Sequence, residues 1–202
     1  MLRPAECVGL EYDARLVARA AQHPENPAGV RFQEGDATRL EFPDGAFDVV
    51  FTRYLLVHLP DPVKVIREML RVAGPNGKVI AYEPDCSSQF AHPPSWAMDR
   101  MGAIWDGLFE DARIGRKLVH HFRAAGASRL DAGGAQGIET EGNEMKRLYR
   151  LSLESTAAAI AEKNLLTRQE YAAMLQEFLR LEQDADTICM KFPDFWVIAS
   201  PA

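Results

Sequence analysis

The side chains whose types and spacing could do chemistry are Asp36, Thr52, Arg53, His58, Glu83 and Asp85. Three apolar runs between residues 32 and 85 each end in polar residues: Asp36 after the first, Thr52 and Arg53 after the second, Glu83 and Asp85 after the third. Open parallel sheets collect their ligands at such carboxyl ends. A carboxylate there only accepts hydrogen bonds, so it suits hydroxyl and amine donors. An arginine there could steer an anionic ligand or sit in a surface ion pair. His58 follows one turn later, and its ordinary pKa of about 6.5 suits removal of a proton from a hydroxyl. Packing at a helix entrance is the alternative role for that ring. No metal centre is expected. Cys7, Cys86 and Cys189 are far apart, and His120 and His121 are helix neighbours whose side chains diverge.

These groups need elements to hold them. VRFQEGDA, FDVVFTRY and KVIAYEP read as strands, and ECVGLEYD as an earlier one. FDVVFTRY is continuously apolar, as in a sheet covered on both faces. FPDG (residues 42–45) and GPNG (residues 74–77) are turns, with Pro43 presetting φ and Gly45 permitting a left-handed residue. Asp61 and Pro62 start a helix that presents Val63, Ile66 and Leu70 on one side. Residues 14–22 form another helix with Leu16, Val17 and Ala20 inward. Ile114, Leu118 and Phe122 mark a helix ended by Gly126. Thr167 with Glu170 makes a capping box ahead of the stripe Tyr171, Met174, Phe178 and Leu181. ICMKF, PDF and WVIAS complete the sheet.

The composition bounds the function. The 202 residues are 47% hydrophobic and 26% charged, as expected of one soluble domain. A net charge of −6 without a basic cluster argues against nucleic acid as partner. No apolar run is long enough to span a membrane, and unpaired cysteines suit a reducing compartment, so the cytoplasm is the expected location.

GDATRLEFPDGAFDVV, LLVHLPDP, EMLRVAGPNGKV and YEPD occur in an order and spacing that carry a resemblance. The stretch 32–85 resembles the central half of a class I S-adenosylmethionine-dependent methyltransferase, in the small-molecule branch related to the ubiquinone/menaquinone enzymes. The resemblance implies a Rossmann-like, mostly parallel sheet with flanking helices. It implies cofactor contacts from Glu11 to the ribose hydroxyls, Tyr12 over the adenine face, and Asp36 with the N–H of Ala37 at the adenine edge. Asp36 capping its own turn is the alternative. Thr52 and Arg53 would lie beside the cofactor, Arg53 holding its carboxylate or an anionic acceptor, and His58 would be the base. Tyr54, His92, Trp96 and Trp105 would wall the acceptor pocket, residues 86–111 acting as an aromatic lid. A helix packing through Trp96, Met101 and Trp105 is the bland alternative.

In nucleotide-binding folds a glycine-rich loop precedes the ribose-binding acid by about 20 residues. Ten residues precede Glu11, and none forms a G-x-G pattern. The first, central strand, its loop and the first helix are therefore expected to be missing. That leaves two facing edges unpaired, an invitation to a second copy or a partner chain. One domain is expected over 1–202: a cofactor half (1–85), a lid with the fifth helix and sixth strand (86–139), a helical insertion (140–185) and the last strand (186–202). The expected function is methyl transfer from S-adenosylmethionine to a small, apolar or aromatic acceptor, impaired in this truncated chain, with cofactor binding weak or absent. The alternatives are a non-catalytic relative that binds a ligand or partner, and a cofactor-independent isomerase or cyclase.

Overall fold

The structure is a computed structural model that describes residues 6–139 and 144–201. It opens with β1 (Cys7–Glu11), α1 (Ala14–Ala21) and β2 (Val30–Glu34), a small βαβ unit whose strands pair in parallel. Asp13 starts α1 by accepting the Arg15 N–H at 2.8 Å. Then follow β3 (Val49–Arg53), α2 (Pro62–Ala73) and β4 (Lys78–Pro84). After β5 (Phe90–His92) come α3 (Trp96–Leu108), α4 (Leu118–Ala124), β6 (Arg129–Ala135) and β7 (Ile138–Glu139). The helices α5 (Glu144–Ser155), α6 (Ala157–Glu162) and α7 (Arg168–Gln183) precede β8 (Ile188–Met190) and β9 (Asp194–Ser200).

The main sheet has the order β3-β4-β9-β6, with β3 parallel to β4 and β9 antiparallel to both its neighbours. This α/β arrangement with flanking helices is the Rossmann-like class expected. Among the described residues, β1 pairs only with β2, and β3 only with β4. A third, antiparallel sheet joins β5, β8 and β7. This corrects one expectation: ICM of ICMKF lies in that sheet and does not finish the main one.

Two apolar clusters form the core. Ile66, Leu70, Val79, Phe122 and Val197 pack α2 and α4 onto the main sheet. Met101, Trp105, Leu153, Met174 and Phe178 join α3, α5 and α7. Thus the α2, α4 and α7 stripes bury as their spacing requires, although Val63 and Tyr171 are only half-buried. The capping box closes in both directions, Glu170 N–H to Thr167 Oγ1 at 3.2 Å and Thr167 N–H to Glu170 Oε2 at 2.7 Å. Gly45 (φ +68°) and Gly74 (φ +63°) abut, and a Cβ on Gly74 would come within 2.7 Å of the Gly45 Cα. Only glycine fits that contact. Arg71 latches the preceding loop onto α2, donating to the carbonyls of Leu40 and Phe42 at 2.8 Å each. The opening residues of the insertion, 140–143, lie outside the described residues.

Two expectations about coverage fail for one reason. The apolar run of β3 predicts cover on both faces, yet Val49 and Phe51 are 52% and 60% exposed while Val50 and Thr52 turn inward. The spacing in α1 predicts Leu16 inward, yet it is exposed, and no residue of α1 is buried. Both surfaces lack a neighbour among the described residues. Apolar burial sets local stability, so residues 6–34 are expected to open first. Limited proteolysis should cut there before anywhere in β4 or β9, and their amides should exchange fastest. Equal protection of β1 and β4 would contradict this.

Candidate active site

A cavity of about 250 Å3 opens at the carboxyl ends of β3 and β4. Arg53, Tyr54, Val57 and His58 form one wall, following β3. Trp105 and Phe109 form a second, from α3 and the residue after it. Leu148 and Ser152 of α5 and the pair Lys191 and Phe192 close the rest over Pro84 and Cys86.

Glu83 sets the first wall. Fully buried, its Oε1 accepts the N–H groups of Leu55 (3.0 Å) and Leu56 (2.9 Å), and its Oε2 that of Val57 (3.3 Å). It therefore ties down the 3-10 turn Leu56–His58 that presents His58. Burial pushes its pKa up to about 7, outweighing the three N–H groups that favour the charged form. Asp85 is likewise buried, ion-paired to Arg116 (Nη2 to Oδ1 2.9 Å) and accepting from Ser87 Oγ at 2.6 Å. The expectation that these two acids face a ligand is corrected: both serve the scaffold.

The rim is polar. Tyr54 sits at positive φ (54°), an uncommon backbone state that clusters at functional sites. Its Oη donates to Asp194 Oδ1 at 2.5 Å, and Tyr82 Oη donates to Asp194 Oδ2 at 2.8 Å. Lys191 Nζ donates to Tyr54 Oη at 2.8 Å and is ion-paired to Asp194. Burial and then the Asp194 hydrogen bond push the Tyr54 phenol far up and that of Tyr82 to about 12. Both stay protonated at any physiological pH. The Arg53 guanidinium lies over the rings of Tyr54 (5.2 Å) and Tyr82 (5.6 Å). His58 meets Phe109 edge to face at 5.1 Å, and desolvation lowers its pKa. Its ring is therefore neutral at pH 7 and able to accept a proton.

Of the four expected pocket residues, Tyr54 and Trp105 line the cavity and His92 and Trp96 do not. On β5, Ala91 is buried while Phe90 and His92 turn outward, as strand alternation requires. Trp96 and Trp105 are nine residues apart on α3, half a turn out of phase at 3.6 residues per turn. Trp105 is buried and stacked on Phe109 at 5.3 Å, while Trp96 is 49% exposed. The bland alternative of packing through Trp96 fails with it.

The expected cofactor residues lie outside the cavity lining, Arg53 excepted. Glu11 ends β1 and accepts the N–H groups of Tyr12 (2.8 Å) and Asp13 (3.1 Å) through one oxygen, Oε1. Tyr12 is largely exposed. Asp36 accepts the Thr38 N–H at 2.7 Å through Oδ1, the turn-capping alternative, and Ala37 is half-buried beside the main core. Thr52 is buried in β3. Each acid thus spends one oxygen on its own turn, an arrangement that fits a diol or amine donor on the other. Among the described residues no glycine loop stands ready for the methionine end of an S-adenosyl group. The fit is to the adenosine side.

Sequence reasoning missed Tyr82, Phe109, Lys191 and Asp194. The available signal was KFPD, a cation and an anion three residues apart around a proline at the last strand.

Residues 1–81 match the family model described as a methyltransferase domain. A demethylmenaquinone methyltransferase of Bacillus licheniformis is 33% identical over 85 residues, 42% of this chain and 37% of that protein. The YcgJ protein of Bacillus subtilis superposes with a TM-score of 0.60 at 18% identity, covering 98% of this chain and 83% of that one. Phosphoethanolamine N-methyltransferase 2 of Haemonchus contortus, in complex with S-adenosyl-L-methionine, gives 0.55 at 18% identity over 96% and 43%. The two superpositions speak to the fold. The chain spans about a third of the length of the first curated relatives it matches, 33 to 37%.

Proposed function

We propose, from the membership of this chain in the class I S-adenosylmethionine-dependent methyltransferase family, that it serves methyl transfer to a small apolar or aromatic acceptor. The observation that carries this reading is the apolar cavity at the carboxyl ends of β3 and β4, beside the segment that runs from Arg53 to His58. When bound, the cofactor would supply an electrophilic methyl group on sulfur. Glu11, Asp36 and the Ala37 N–H would hold its adenosine end. The aromatic walls would exclude water and orient the acceptor, which is most of what an in-line transfer needs. His58, neutral and at the mouth, would take the proton of an acceptor hydroxyl. A reducing, cytoplasmic setting suits three cysteines that form no disulfide among the described residues. The uncovered β3 edge and the exposed Val49 and Phe51 support pairing with another segment or chain.

Calorimetric titration with S-adenosylhomocysteine tests the reading. A saturable, weak heat is expected, with affinity falling about tenfold or more in Glu11→Ala, as for loss of charge-assisted hydrogen bonds. The uncovered sheet favours a second reading, a non-catalytic module binding a ligand or partner through the same cleft. Absence of any heat at millimolar S-adenosylhomocysteine would favour that one.

A further inference from the structure

We propose that the cavity selects a small aromatic monoanion, its acid group gripped by Arg53 and its flat body held against the aromatic stack of Trp105 and Phe109. This deepens the reading above by naming the class of acceptor.

The charges around the cavity are unbalanced. The side chains that line it include two cations, Arg53 and Lys191, and no carboxylate. Of these, Lys191 is neutralised by Asp194. Arg53 forms no ion pair and no hydrogen bond among the described residues, and touches only the faces of Tyr54 and Tyr82. One positive charge at the mouth is therefore uncompensated. The second wall holds a buried donor without a partner. Trp105 is 5% exposed, and its indole Nε1 has no hydrogen-bond partner. A buried indole N–H without an acceptor costs stability unless something supplies one. The Tyr54 and Tyr82 hydroxyls already donate to Asp194, so they present no further proton inward. What remains free is a set of donors around an apolar interior, the complement of an acceptor-rich head on a hydrophobic body.

Size and shape narrow the class. At about 250 Å3 the cavity lies below the ~300–1,000 Å3 of clefts for drug-sized ligands, so one ring with a short chain is the scale. The Trp105 and Phe109 rings are stacked, parallel within 3°, so the stack offers a flat aromatic face. A planar guanidinium such as Arg53 matches a carboxylate through two parallel hydrogen bonds.

Cinnamate and cinnamamide test this, because they share shape and differ in charge. Each is titrated into the whole chain without cofactor, following Trp fluorescence and calorimetric heat. Cinnamate is expected to bind at least about tenfold more tightly than the amide. Arg53→Gln should bring the two within about twofold while circular dichroism stays unchanged, and Trp105→Phe should weaken cinnamate with the fold retained. Equal binding of acid and amide, a preference that survives Arg53→Gln, or no binding of cinnamate at millimolar concentration would each overturn the proposal. With no cofactor in the cell, such failure leaves the S-adenosylhomocysteine result standing on its own.

Discussion

Glu83→Leu is expected to cost about 3 kcal/mol or more, because it orphans the N–H groups of Leu55, Leu56 and Val57 at about 1–3 kcal/mol each where buried. At this chain length that lowers Tm by about 10 °C. Glu83→Gln separates the hydrogen bonds from the charge. It keeps an oxygen for Leu55 and Leu56, which share Oε1, and removes the ionisation. The folded pKa is raised from 4.5 to about 7, so the fold favours the protonated acid. Its contribution is therefore fully present below about pH 4.5 and is lost as pH rises through about 7. At 1.36 kcal/mol per unit this amounts to about 3 kcal/mol between pH 4.5 and 8. His58 and His121, with pKa values lowered by burial, have the opposite sign, gaining stability as pH rises. They are common to both proteins and cancel in the comparison. Urea unfolding at pH 5, 6.5 and 8 should show wild type losing ground to Glu83→Gln as pH rises. Parallel profiles would show that Glu83 is ionised in the fold throughout.

Glu83 also shows where the sequence stops being legible. Turns and caps are local, and FPDG, Asp61-Pro62 and Thr167–Glu170 could be read because their chemistry lies within four residues. The stripes of α2, α4 and α7 were legible because a buried helix face repeats. Partnerships across the fold leave no such trace. Glu83 reaches Val57 and Asp85 reaches Arg116, each about 30 positions along the chain. Strand-end acids that bind ligands and strand-end acids that pin loops look alike until those partners are in place. The same holds for Asp194, which gathers Tyr54, Tyr82 and Lys191 from three segments. Coverage misled in the other direction. The pattern of β3 specifies what its side chains would bury against, and the structure shows Val49 and Phe51 without it.

That uncovered face sets up the second large effect. Fusing a relative's strand, glycine loop and helix ahead of Cys7 is expected to tighten S-adenosylhomocysteine binding about 100-fold. About three backbone N–H contacts to the methionine end, at ~1 kcal/mol each, account for it. Glycine is required in such a loop because only a missing Cβ lets the backbone come that close. The new strand would pair with the free edge of β3, and the helix would cover Val49 and Phe51. Burying the exposed half of each is worth about 1–2 kcal/mol, so the fusion should also unfold at higher urea. Protease sensitivity in residues 6–34 should fall with it. The two gains come from different atoms, so a second fusion with the loop glycines replaced by alanine tells them apart. It should keep the added stability and lose the added affinity. A fusion that is stabilised but binds no tighter with its glycines intact would mean that Glu11 and Asp36 do not hold the adenosine end. The local turns that occupy one oxygen of each would then be their whole role.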